Sequence, residues 1–120
     1  MIKGTLRRTA IVIILFLFLA PFSRASEPQD EIDHLIGYVR ESGCAFIRNG
    51  DEHDPEAALE HILRKYEYFK SRIRSAEDFI DYCATKSTMT GQLYETRCDG
   101  HKAIPTKQWL TDELKRYRTR

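Results

Sequence analysis

An uninterrupted apolar run, Ile11 to Ala20 (IVIILFLFLA), limits what this chain can become more than any other feature. Lys3, Arg7 and Arg8 precede it, and Ser23-Arg24-Ala25 places small residues at the −3 and −1 positions of a cleavage site. That arrangement reads as an export signal over residues 1–25, removed in the mature protein. Ten apolar residues fall well short of the roughly 20 that a helix needs to cross a hydrocarbon core. No stable membrane anchor is therefore expected after cleavage, and no cysteine follows the cleavage point to take a lipid. The part left to fold is Ser26 to Arg120, a single domain of 95 residues near the lower end of what one core can stabilise unaided.

Charge narrows the partners. Removing Lys3, Arg7, Arg8 and Arg24 leaves 15 of the 19 basic residues against 18 acidic ones, so the exported domain carries about −3. Nucleic acid is excluded on that ground, because its binders neutralise phosphates with surplus Lys and Arg. The basic C-terminal run from Lys115 to Arg120 reads as the last turn of a helix, where cations favour the dipole.

Three cysteines, Cys44, Cys83 and Cys98, enter an oxidising compartment, where a pair normally closes and one is left over. Cys83 shares a helical apolar face with Phe79 and Ile80, where a free thiol behaves as a small hydrophobe. Cys44 and Cys98 fall in expected connections and form the favoured couple, with Cys83 to Cys98 as its rival. The favoured bridge would stabilise the fold by roughly 4 kcal/mol through loop closure.

Ile32, Leu35, Ile36 and Val39 predict an amphipathic helix over about 28–42, capped by Gly43. Residues 45–54 read as a loop in which Phe46 and Ile47 must still be buried. Asp54-Pro55 starts a second helix whose seam, Leu59, Ile62, Tyr66, Phe69 and Ile73, should carry it to about Arg74. Ser75 with Asp78 restarts a helix to about Thr85. Asp99-Gly100 suggests a type I′ turn joining strands near Leu93–Arg97 and His101–Ile104. Pro105-Thr106 opens a last helix carrying Trp109, Leu110, Leu114 and Tyr117. The expected fold is mainly α within the α+β class: about four helices with a short hairpin, in the order α-α-α-β-β-α. A lone hairpin is marginal in water and must lean on the helices.

Cys44-Ala45-Phe46-Ile47-Arg48-Asn49-Gly50, then Ala58, His61 and Lys65, Ala76-Glu77-Asp78-Phe79-Ile80, Ser87, Thr88, Thr90-Gly91, Tyr94, Trp109-Leu110 and the Leu114 to Arg118 segment resemble a known pattern. It is that of small exported bacterial proteins of unknown function, the YfeK-like family. The resemblance covers nearly the whole exported chain. It implies a periplasmic location and a compact helical domain, and brings no activity or ligand. Family members often carry serine where this chain has Thr88 and Thr90, a departure that matters only if those hydroxyls act as nucleophiles.

The most pointed polar cluster is Arg48-Asn49-Gly50. A guanidinium fork suits carboxylate or phosphate, and Asn and Gly tolerate the left-handed backbone of a tight loop. The alternative is that Arg48 pairs internally with Asp51, Glu52 or a helix C-terminus. His61 and Lys65 share one helical face, where they either line a polar groove or border the core. His53, His61, Asp51 and Asp54 lack the spacing of a metal site, and no metal or cofactor is expected. Cys44 beside His53 or His61 has the composition of a nucleophile and base, but the oxidising compartment favours the disulfide instead. Ser87-Thr88-Met89-Thr90-Gly91 lacks the G-x-S-x-G of a nucleophile elbow and reads as a capping turn with a hydrogen-bonding rim.

The sequence thus points to a small soluble binding or interaction domain with candidate residues Arg48, Asn49, His53, His61, Lys65, Thr90 and Tyr94, a Cys44–Cys98 bridge and a free thiol at Cys83. No catalytic residue is assigned. The expected partner is an envelope protein or a small anionic ligand. The alternative is a small hydrolase using polar groups of the Arg48–His61 and Ser87–Tyr94 segments; a third reading is a structural or stress-related envelope protein.

Overall fold

A computed structural model describes residues 26–120, so the export signal and its cleavage site lie outside the described residues. Helix α1 spans Pro28–Glu41, strands β1 and β2 span Ala45–Arg48 and Asp51–His53, and α2 spans Pro55–Phe69. Then come α3 (Ala76–Cys83), β3 (Glu95–Arg97), β4 (Ile104–Pro105) and α4 (Thr106–Arg118). The helices and the late hairpin follow the expected order.

Residues 45–54, expected as a loop, instead form a second hairpin. Its two-residue connection is Asn49-Gly50, both with positive φ, 51° and 83°, between the paired Arg48 and Asp51. Positive φ at both central positions is the type I′ geometry, whose twist matches that of the flanking strands. Asp99-Gly100 does not make that turn: only Gly100 has positive φ, and His101 N–H donates to the Cys98 carbonyl at 3.0 Å. The second arm of that hairpin is Ile104–Pro105 rather than His101–Ile104.

The two hairpins merge into one antiparallel sheet of order β2-β1-β3-β4. Its register aligns His53, Phe46, Thr96 and Ile104 in one row across the sheet. Alternation places that row on the face covered by helices, with α2 against β1 and β2 and α4 against β3 and β4. Helix α1 packs on α2, α3 and α4, and α3 packs on α2 and α4. Between the layers lie Leu35, Val39, Phe46, Leu59, Ile62, Phe79, Ile80, Leu110 and Leu114, all buried. Trp109 stacks on Tyr38 at 4.5 Å between centroids and meets Phe46 edge-on at 5.5 Å, so α1, α4 and β1 share one aromatic contact.

Local chemistry sets the element ends. Gly43, at φ 64°, follows the Ser42 cap and lets the chain leave α1 in a left-handed conformation. Asp54 accepts a hydrogen bond from Ala57 N–H at 2.8 Å, with Pro55 in the first turn of α2. Helix α2 stops short of Arg74: after Phe69 it tightens into a 3-10 turn, Lys70–Arg72, and Ile73 is extended. The reason is the cap of α3. Ser75 Oγ accepts from Asp78 N–H at 3.0 Å while Asp78 Oδ2 accepts from Arg74 N–H at 3.0 Å, which holds residues 74 and 75 out of the helix. Cys44 and Cys98 are joined as a disulfide with Cα atoms 4.4 Å apart, just before β1 and just after β3, next to the Ala45–Arg97 pair. Cys83 is free and buried.

Candidate functional site: a basic recess between β1 and α2

Period-two alternation along β1 puts Arg48 on the same helix-facing side as Phe46, and the pairing of Phe46 with His53 brings that histidine alongside. From α2, Ala58, His61, Ile62 and Lys65 project along one face at steps of three and four. Tyr94 arrives on the stretch before β3; its N–H donates to Thr85 and its carbonyl accepts from Thr106 N–H, both at 2.9 Å. Arg48, His53, His61 and Tyr94 thereby line one recess with Phe46, Ile47, Ala58, Ile62 and Thr106. Its free space is about 30 Å³, and among the described residues no acid lines it.

At its α2 side three side chains are joined by hydrogen bonds. Lys65 Nζ donates to the Lys86 carbonyl at 2.9 Å and to Tyr94 Oη at 3.4 Å, and lies 5.2 Å from the centroid of the Tyr94 ring. Tyr94 Oη in turn shares a hydrogen bond with His61 Nε2, 3.0 Å away. Burial holds His61 down at about 4, with the positive charges of Arg48, Lys65, Arg64 and His53 adding to it. Burial likewise lowers Lys65 and raises the Tyr94 phenol. Among the described residues Arg48 is half-buried and has neither an ion pair nor a side-chain hydrogen bond; Asp51 and Glu52 do not take it up.

Asn49 and Thr90 close the far rim. Thr90 Oγ1 donates to Asn49 Oδ1 at 2.8 Å and accepts from Gln92 N–H at 3.2 Å, while Ser87 Oγ accepts from Thr90 N–H at 3.3 Å. Of the seven sequence candidates, Arg48, His53, His61 and Tyr94 line the recess, Lys65 reaches it through Tyr94, and Asn49 and Thr90 meet at the turn next to Arg48. Beside them, outside the sequence reading, a groove of about 270 Å³ runs along α2, lined by His61, Arg64, Lys65, Tyr68, Phe69 and Thr88. Tyr68 is 83% exposed there, an aromatic without cover that lies off the apolar seam of α2.

Residues 26–118 match the model of a family described as a family of unknown function, DUF5329. This chain belongs to that family. It is also similar to the uncharacterized protein YfeK of Salmonella typhimurium (strain LT2), with 42% identity over 85 residues, 69% of this chain and 71% of that protein. No solved structure matches. The DUF5329 match spans both hairpins and all four helices, so the recess lies within the family domain.

Proposed function

We propose that this chain is a small exported binding domain, soluble in the periplasm, whose recess recognises an anionic group on a ligand or envelope partner. The observation that carries this reading is Arg48: among the described residues, a guanidinium half-withdrawn from water and unpaired, beside His61 and Lys65, in a recess with no acid of its own. A cation so placed gains from an incoming anion what it lacks from the protein. Export is supported by the Ile11–Ala20 run and by the cysteine pair that the fold brings together.

A hydrolase fits less well. The His61–Tyr94 contact does put a base within hydrogen-bond reach of a hydroxyl. A base works best with a pKa near the operating pH, whereas His61 sits at about 4 and the Tyr94 phenol is pushed up. Thr90 donates to an amide oxygen, which does not activate it.

The test is capture from a periplasmic extract with wild type and Arg48→Ala side by side. The binding reading expects a retained ligand or partner that Arg48→Ala loses with its melting temperature unchanged; equal capture by both would end it.

A further inference from the structure

We infer that the recess takes one carboxylate, carried on an apolar body that lies along α2 against Tyr68 and Phe69. This rests on reading the recess as an anion site. Size comes first: the free space of about 30 Å³ suits a compact planar group such as a carboxylate. A phosphate monoester brings three terminal oxygens and a charge of about −1.5 to −2. Phe46, Ala58 and Ile62 offer no donor for the additional oxygens.

Charge points the same way. Within the recess wall the Arg48 guanidinium makes no side-chain bond among the described residues, whereas Lys65, beside the recess, is turned to the Lys86 carbonyl and Tyr94. The fork matches a carboxylate bidentately. His61, held neutral by burial, adds a polar group to the wall without adding a second charge.

The body follows from continuity. His61 lines both the recess and the α2 groove, so a ligand whose carboxylate meets Arg48 has its next atoms at the mouth of a groove nearly ten times larger. Arg64, Lys65, Tyr68, Phe69 and Thr88 form that groove without an acid, and the exposed Tyr68 ring offers a face for apolar or aromatic groups.

The experiment is an NMR titration of the purified oxidised protein with N-acetylphenylalanine, N-acetylphenylalaninamide, acetate and phenyl phosphate. N-acetylphenylalanine should move the ring signals of His61 and Tyr68, acetate those of His61 alone and at least tenfold more weakly. The amide should move neither, and phenyl phosphate should bind at least tenfold more weakly than the acid. Arg48→Gln and Arg48→Lys, the second keeping the charge without the fork, should each lose at least tenfold, and Tyr68→Ala severalfold. Phenyl phosphate binding as well as the acid would overturn the carboxylate and leave the anion site standing; acetate matching the acid would remove the apolar body. No response to any anion, or full binding by Arg48→Gln, would overturn this inference and the anion site together.

Discussion

Arg118 holds both carboxylate oxygens of Glu31 across 87 residues of chain, Nε to Oε2 at 2.7 Å and Nη2 to Oε1 at 2.9 Å. The same guanidinium reaches Glu77 Oε1 at 2.6 Å, so one side chain near the end of α4 ties α1 and α3 to it. Glu31 is only 5% exposed, and the hydrogen bonds from Arg118 hold its carboxyl below the usual carboxylate range against the opposing effect of burial. Glu113, also buried, is met by His34 at 3.3 Å, Arg116 at 3.3 Å and Arg120 at 3.4 Å. The basic C-terminal run thus does more than complement the dipole of its own helix.

Replacing Arg118 with Met should leave the Glu31 carboxylate covered and unpaired. A fully buried pair broken in this way costs about 3–5 kcal/mol. Arg118 keeps 41% of its surface in water, which screens the pair, so a loss of about 2 kcal/mol in urea unfolding is expected. The folded pKa of Glu31 lies below its unfolded value, so its contribution is complete above about pH 4.5 and fades as pH falls through the folded value. Arg118→Met should accordingly show a flatter acid limb; an unchanged free energy and acid limb would mean the pair is idle.

The disulfide and the free thiol separate cleanly by reactivity. Burial pushes the Cys83 thiol up to about 12, with Lys65 offsetting part of the rise, so the native thiolate is scarce as well as covered. Alkylation without reduction should label Cys83 alone, and only after unfolding. Closing 54 residues of sequence should stabilise the fold by about 4 kcal/mol, so Cys44→Ser with Cys98→Ser should lower stability by about that amount. A bridge containing Cys83 in the peptide map would contradict this assignment.

Helical seams were legible because every third or fourth residue from Ile32 to Val39 and from Leu59 to Phe69 is apolar, and a buried stripe leaves that trace directly in sequence. The first hairpin was not, because its strands are four and three residues long and β2, Asp51-Glu52-His53, is wholly polar. An edge strand of that composition has no apolar alternation to read; it avoids pairing with other chains by being short and charged. Asn49-Gly50 is an Asn-Gly pair of the kind that favours a type I′ turn, but with polar residues on both sides it read as a tight turn within a loop. The polar candidates were visible as residue types, whereas the α2 groove depends on the 85–94 segment folding back over the helix, through the Ser87 N–H bond to Gln92 and the Lys86–Leu93 bridge. Sequence spacing carries no trace of that return.

The Asn49-Gly50 turn gives a direct measure of how much the first hairpin contributes. A Cβ on Gly50 would meet nothing within 4 Å, so Gly50→Ala tests the backbone alone. With φ at 83°, an L residue there should cost about 1–2 kcal/mol. Asn49→Ala should cost a similar amount, since alanine tolerates the left-handed conformation less well and removes the acceptor of the Thr90 hydroxyl. Both losses should appear as lower midpoints in denaturant with unchanged slope. If neither variant moves the midpoint, the hairpin is not held by this turn.

His61 reports on the recess from inside. Its pKa of about 4 rests first on burial and then on Arg48, so Arg48→Ala should raise it by relieving repulsion, as read from the ring proton across an NMR pH titration. Arg48 has no partner to lose, so the same variant should keep its stability at pH 7 within about 1 kcal/mol. The folded pKa of His61 is depressed below 6.5, so the unfolded chain binds more protons between about pH 6.5 and 4, and stability falls as pH drops through that window. Across the whole window a fall from 6.5 to about 4 corresponds to a loss of about 3 kcal/mol. His61→Gln should abolish it, and a bound carboxylate should instead draw the histidine pKa upward. A histidine that titrates near 6.5 in the free protein and ignores Arg48→Ala would show that the two side chains do not share a recess in solution, and the carboxylate would then lose both of its partners at once.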